Sequence, residues 1–275
     1  MGAGFKIVTL PSGANTLRSL SRNETYHPCG GPLEEARVLH VEQNQLAERC
    51  AEKRKFVLWD VGLGAAGNSV SAISALEGCA ADLEIHSFDK WTDPLEFALE
   101  NSEALPYLSP YREIIAQLLA HNEVQVRPNL KWFFHRGDFC EQIERSDLPP
   151  PNSIFYDPYS PATNREMWTL AHFQKIFAHL KSDCMLSSYS RSTAVRVTLL
   201  LAGFQVGIGR SIENKAETTV AANRLELLKQ PLTRKFLQRV KISGNAAPMR
   251  DPVYSITPIL PEDLAALELH AQFAH

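Results

Sequence analysis

KFVLWDVGLGAAGNSVSAISALEGCAADLEIHSFD, residues 55 to 89, decides the fold. KFVLWDV is a continuous apolar run of strand length, GLGAAG is a turn, and NSVSAISALEG is a helix stopped by Gly78. ADLEIHSFD is then a second strand. The same alternation continues outward. A helical region runs from about Pro94 to His121 with a break near Pro106 to Pro110, LKWFFHRGD is a third strand, and SIFYD is a fourth. NREMWTLAHFQKIFAHL follows as an amphipathic helix, with apolar positions at Met167, Leu170, Phe173, Ile176, Phe177 and Leu180 and Asn164 as its candidate cap. DCMLSSYS, a helix through Leu201 ending at Gly203, and the pair FQVGIG and ETTVAANRLELL complete the pattern. The prediction is an α/β fold with a mostly parallel sheet closed by an antiparallel hairpin. Residues 1–54 read as a leader with a turn at PCGGP and one helix from Glu34 or Glu35 to about Lys53; residues 55–228 form the main domain; residues 229–275 are a basic, then Pro-rich, extension ending in an amphipathic helix.

At 275 residues and 44% hydrophobic content, the chain can bury an ordinary core. Its five cysteines (Cys29, Cys50, Cys79, Cys140, Cys184) are odd in number and form no metal-ligand spacing, so reduced thiols in a cytoplasmic protein are expected, with no metal. No apolar run is long enough to span a bilayer and no signal peptide is recognisable. A net charge of −3 gives no general preference for nucleic acid, so a polyanion contact must be local. KQPLTRKFLQRVK, residues 229 to 241, with Arg234, Lys235 and Arg239 and no acid, is the clearest candidate. A solvated helix face explains it equally well.

Gly62, Gly64 and Gly67 spell GxGxxG between strand and helix, and Asp89 ends the next strand. That spacing suits a nicotinamide enzyme as well as other nucleoside binders. Asp60 favours S-adenosylmethionine: a carboxylate directed at the crevice repels a diphosphate but attracts a cationic α-amino group. Its alternative role is a helix cap or a loop ion pair. Asp89 suits ribose hydroxyls; Asp138 in HRGDF suits the adenine amino group, with Phe139 against the ring, although Gly-Asp after a strand is also an ordinary turn.

IFYDPYSPATNREMW, residues 154 to 168, places Asp157, Pro158 and Tyr159 at the carboxyl end of the fourth strand. Methyl transfer from a sulfonium is an in-line displacement, so an amine acceptor must be unprotonated and its lone pair aimed at the methyl carbon. A carboxylate that accepts the amine's N–H bonds does the aiming. Tyr159 can stack on a base. A Pro-rich turn leading into a capped helix is the structural alternative.

These residues resemble the methyltransferase half of the bifunctional tRNA 5-methylaminomethyl-2-thiouridine biosynthesis protein and its stand-alone relatives. The similarity runs in order from about Asn23 to Leu228 through NETYHPCGGPLEEARVLHVEQNQL, DVGLGAAGN, SFDKW, HRGDF, DPYSPATNREMWT, LLLAGFQV and GIGRSIENKAETTVAA. DPYSPATNREMW is the most specific part. The resemblance implies a Rossmann-like class I S-adenosylmethionine methyltransferase that methylates the aminomethyl group of wobble uridine. It puts Asp157 on the amine and Asp60, Gly62, Gly64, Asn68, Asp89 and Asp138 around the cofactor. It also implies that the leader, with Glu35 and Asn44, folds over the site, and that Lys215 meets RNA phosphate, an exposed hairpin residue being the alternative. The expected partner is the anticodon region of tRNA, with a separate flavin-dependent oxidase acting upstream. Three departures stand out: Ala66 occupies the third glycine position of the family loop, Arg165 replaces a proline, and the tail has no family counterpart. No FAD-binding fingerprint is present. Two other classes remain: a nicotinamide-dependent oxidoreductase, for which Tyr189 and Lys215 lack convincing spacing, and a binding protein or methyltransferase with another amine substrate or no turnover.

Overall fold

The computed structural model describes residues 4–212, 217–250 and 255–274. An eight-stranded sheet forms its centre. The strands are β4 (Lys55–Val61), β5 (Asp82–Asp89), β6 (Glu123–Arg127), β7 (Leu130–Arg136), β8 (Ser153–Tyr156), β9 (Met185–Ser188), β10 (Gln205–Gly209) and β11 (Thr218–Ala222). Their order is β10-β11-β9-β8-β4-β5-β7-β6, with β9, β8, β4, β5 and β7 parallel and both outer pairs antiparallel. The order reverses between β4 and β8. A crevice therefore opens beyond their carboxyl ends, where open α/β sheets bind ligands. The expected closing hairpin is β10 and β11.

Alternation along β4 assigns the two sheet faces. Phe56 and Leu58 face α3 (Gly67–Ala75) and α5 (Arg112–His121), which also cover Trp132 and Phe134. Val57, Trp59 and Val61 face α7 (Leu170–Ala178) and α8 (Thr193–Leu201). The tail joins this second layer: Phe236, Leu237 and Val240 of α9 (Arg234–Ile242), Leu267 of α10 (Pro261–Glu268) and Phe273 are all buried in it. Residues 230 to 232 and the Gln272 side chain bond to β10, closing that sheet edge.

Four local expectations change. The leader contains a small antiparallel sheet, β1 (Phe5–Thr9), β2 (Asn15–Ser19) and β3 (Glu24–Thr25). Its single helix is three pieces, α1 (Pro32–Ala36), a π-helical turn over Arg37–Glu42 and α2 (Leu46–Ala51), broken where Gln45 takes a left-handed conformation (φ 51°). Asn164 makes no side-chain cap; a 3-10 turn over Arg165–Trp168 intervenes, and the Thr169 hydroxyl caps α7 by accepting from the His172 N–H. Cys50 and Cys79 form a disulfide, so reduced thiols are incorrect for this pair: α2 packs on α3 and joins cysteines 29 residues apart in sequence. Cys140 and Cys184 are free.

Candidate active site

Beyond β4, β5 and β8 lies a cavity of about 530 Å³, a volume suited to a nucleoside-sized ligand with its acceptor. Its floor is the glycine loop. Gly62 has φ 97°, and a Cβ there would lie 2.6 Å from the Asp157 carbonyl oxygen, so two backbones meet with room for no side chain. Ala66 takes the left-handed conformation (φ 61°) as the residue before α3, so the loop keeps its turn with alanine where the family has glycine.

The loop's N–H groups are largely engaged within the protein. Gly62 and Leu63 donate to the Phe88 carbonyl, Ala66 to the Leu63 carbonyl, and Gly64 to Asp89 Oδ2 at 2.9 Å. A diphosphate would need such donors turned towards it. Asp89 also accepts from the Trp91 N–H at 3.0 Å. Burial raises its pKa, and the backbone donors, led by Gly64, offset part of that rise. Asp138 lines the cavity, accepts from the Cys140 N–H as the cap of the short helix α6 (Phe139–Gln142), and pairs with Lys90 at 3.1 Å. Burial alone would raise its pKa, but the Lys90 ammonium and the Cys140 N–H hold it below the ordinary value. Phe139 lines the same end, packed on Phe88 and Trp59.

At the opposite end, Asn68 Nδ2 donates to Asp157 Oδ2 at 2.9 Å. His27 Nε2 and His40 Nε2 approach that oxygen at 3.7 and 3.8 Å. Pro158 and Tyr159 continue the wall; the Pro158 carbonyl accepts from the Tyr189 hydroxyl, and the Tyr159 carbonyl from the Trp168 indole. Tyr159 also shares a hydrogen bond with Tyr26, and the Arg22 guanidinium lies 5.9 Å from its ring centroid. Glu24 accepts from the hydroxyls of Ser160 and Thr163, clasping the leader to this loop.

Three expected placements are corrected. Asp60 is fully buried beneath the loop, outside the cavity wall, because strand alternation turns it with Phe56 and Leu58 towards α3; there it accepts from Ser69 and Ser87. Burial raises its pKa to about 7, against the opposing effect of the two hydroxyls. Asn68 is buried outside the wall and reaches the site through Asp157. Arg234, Lys235 and Arg239 project from the exposed face of α9, away from the cavity lining, and Arg239 lies 3.5 Å from Glu217. Lys215 lies outside the described residues.

A family model described as S-adenosyl-L-methionine-dependent methyltransferase matches residues 107–224. The solved structure of MnmC2 from Aquifex aeolicus superposes with a TM-score of 0.74 at 27% identity, covering 96% of this chain and 85% of that one. The matched region, residues 107–224, is that of an S-adenosyl-L-methionine-dependent methyltransferase. Among curated relatives of the methyltransferase, the tRNA 5-methylaminomethyl-2-thiouridine biosynthesis bifunctional protein MnmC is 25% identical over 71% of this chain in Aliivibrio fischeri. In Pseudomonas syringae pv. syringae it is 28% identical over 74%. This methyltransferase spans about a third of the length of those relatives, 32% and 33% respectively.

The residues present fit its cofactor. The glycine loop leaves a cradle that a side chain at Gly62 would fill, the polar groups at the nucleoside end include the acceptors Asp89 and Asp138, and the engaged loop N–H groups suit a ligand without phosphate. Sequence reasoning missed His27, His40, Tyr26 and Glu24. The segment NETYHPCGGPLEEARVLHVEQNQL was legible as part of the site, but which side chains enter it depends on the chain path after β3 for Glu24, Tyr26 and His27 and on the π turn for His40. Among the described residues no cluster could hold a metal ion and no helix is long and apolar enough to cross a membrane.

Proposed function

We propose that this methyltransferase acts on tRNA, converting a 5-aminomethyl group on wobble uridine to 5-methylaminomethyl. The observation that carries the reading is the acceptor end of the cavity, where a carboxylate fixed by Asn68 stands beside the aromatic wall of Tyr159 and Tyr26. The similarity to proteins named for tRNA 5-methylaminomethyl-2-thiouridine biosynthesis supports the choice of acceptor.

When bound, the cofactor supplies an electrophilic methyl group on a sulfonium. The chain does the rest. Asp89 would accept from the ribose hydroxyls, Asp138 would accept from the adenine amino group, Phe139 would pack against the ring, and Gly62 and Gly64 allow the backbone to come close. Asp157 accepts N–H bonds of the substrate amine and turns its lone pair towards the methyl carbon. Pro158 and Tyr159 flank the uracil, Tyr159 by stacking. The exposed basic face of α9, with Arg234, Lys235 and Arg239, and Lys215 contact phosphate. A separate flavin-dependent oxidase acting upstream supplies the free amine, and the work is cytoplasmic.

Incubation with labelled S-adenosylmethionine and tRNA from a strain lacking the final methyl tests this. Label should enter tRNA, Asp157→Ala should abolish transfer, and affinity for S-adenosylhomocysteine should persist. Equal loss of transfer and cofactor affinity would make Asp157 a structural residue. Triple replacement of Arg234, Lys235 and Arg239 should weaken tRNA binding and flatten its salt dependence.

A further inference from the structure

An ammonium group has no lone pair, so before methyl transfer the substrate must lose a proton to some acceptor. Asp157 suits orientation better than this task. Moving a proton from an alkylammonium of pKa about 10 to a carboxylate of about 4 is uphill by roughly six powers of ten, whereas an imidazole of about 6.5 reduces that to roughly four. Two imidazoles are at hand. His40 is buried, its Nδ1 is 2.8 Å from Ser187 Oγ, and its ring packs against Phe155 with centroids 5.1 Å apart. Asn44 Nδ2 donates to both the His40 carbonyl and Ser187 Oγ, fixing that support. His27, on the leader, contacts the start of α3: a Cβ on Gly67 would lie 3.3 Å from its Cε1. Both rings line the cavity, and both direct Nε2 at Asp157 Oδ2.

We propose that His27 and His40 form the proton-accepting pair of the site, deprotonating the amine that Asp157 orients. This inference rests on the amine-acceptor reading above. The ammonium N–H electron pair becomes the nitrogen lone pair as its proton bonds to an imidazole Nε2. The nitrogen then forms its bond to the methyl carbon while the C–S pair returns to sulfur. The products are a secondary ammonium and a thioether, and the imidazolium releases its proton to water. Several groups line the cavity with the pair: Asp157 after β8, Glu35 from α1, Glu24 and Tyr26 by β3, and Tyr189 after β9. Arg22 lies over Tyr159 at the mouth.

The test is the pH dependence of single-turnover transfer to aminomethyl-bearing tRNA from about pH 6 to about pH 9 for the wild type, His27→Gln, His40→Gln and the double variant. The double variant should be slower by about a hundredfold near pH 7, where the imidazoles can accept and the amine is still protonated, and the deficit should shrink below about 6.5 as the imidazoles take up protons and towards pH 9 as free amine accumulates. Affinity for S-adenosylhomocysteine should be unchanged. A uniform loss at every pH, or an unaltered profile, would overturn the proposal. If the wild type methylates no such tRNA, the acceptor reading fails first. The pair is then judged by NMR titration of the two rings in the protein bound to S-adenosylhomocysteine: Asp157→Asn should move both titrations to lower pH, and unmoved titrations would overturn the coupling.

Discussion

Asp60 shows how one side chain can be legible in type and misjudged in direction. Its position before the glycine loop is evident from the sequence, but strand alternation sends it under the loop, where its Oδ1 has no hydrogen-bond partner among the described residues. Burial raises its pKa to about 7 from the ordinary aspartate value of 3.8. Between those values the folded protein binds a proton that the unfolded chain has released, so the favourable contribution is complete in acid and is lost as pH rises through about 7. Asp60→Asn removes this titration. Its unfolding midpoint should therefore gain on the wild type between about pH 4 and about pH 7 and level off above, measured by thermal denaturation across pH; a constant difference would mean that Asp60 is ionised throughout. Gly62, Gly64, Asp89, Asp138 and Asp157 were readable because each lies at a strand end fixed by local pattern. His27 and His40 were not, since their meeting with Asp157 depends on chain segments more than a hundred residues apart.

At the level of elements, β4 and β8 were legible because helices cover both faces and leave nearly continuous apolar runs, whereas β5, β7 and β9, broken by polar residues, were legible from their place in the strand–helix alternation. The leader sheet was missed because β1 is only partly buried and carries no comparable run, although PSGA between FKIVT and NTLRS is a turn signal. β6 was missed because it is a short edge strand following directly on α5. The basic segment was read for its charges, yet α9 is equally defined by the apolar stripe of Phe236, Leu237 and Val240. Leu237→Ala should cost about 2 to 5 kcal/mol in chemical denaturation; a change of a few tenths would mean that α9 is not integral to the core. Arg196 on α8 is 1% exposed and binds Thr219 Oγ1, the Thr218 carbonyl and Glu217, tying the closing hairpin to the helix layer. Arg196→Ala should destabilise by about 3 kcal/mol, since it strands buried acceptors.

Across the whole molecule, acid stability should follow the buried imidazoles. Burial lowers the pKa of His172 to about 4, and that of His135, beside His86, to about 4. From the ordinary histidine value of 6.5 downward the unfolded chain takes up protons that the folded protein refuses. Their stabilising contribution is therefore present above about 6.5 and lost as pH falls towards about 4, at no more than about 1.4 kcal/mol per pH unit for each ring. His172 Nε2 has no hydrogen-bond partner among the described residues, so His172→Leu should keep the fold and flatten this acid limb. An equally steep limb in the variant would remove His172 from the explanation. The same molecular view unites leader, sheet and tail: the leader closes the acceptor end through Glu24 and Tyr26, while the tail covers β10 and completes the core behind it.

Mass spectrometry of tRNA nucleosides after incubation with S-adenosylmethionine measures the central claim most directly. With wild-type protein, the wobble 5-aminomethyl nucleoside should be replaced by a species heavier by one methyl group, and Asp157→Ala should leave it unchanged. An unaltered wobble nucleoside with the wild type, or a methyl group found on another nucleoside, would contradict the account.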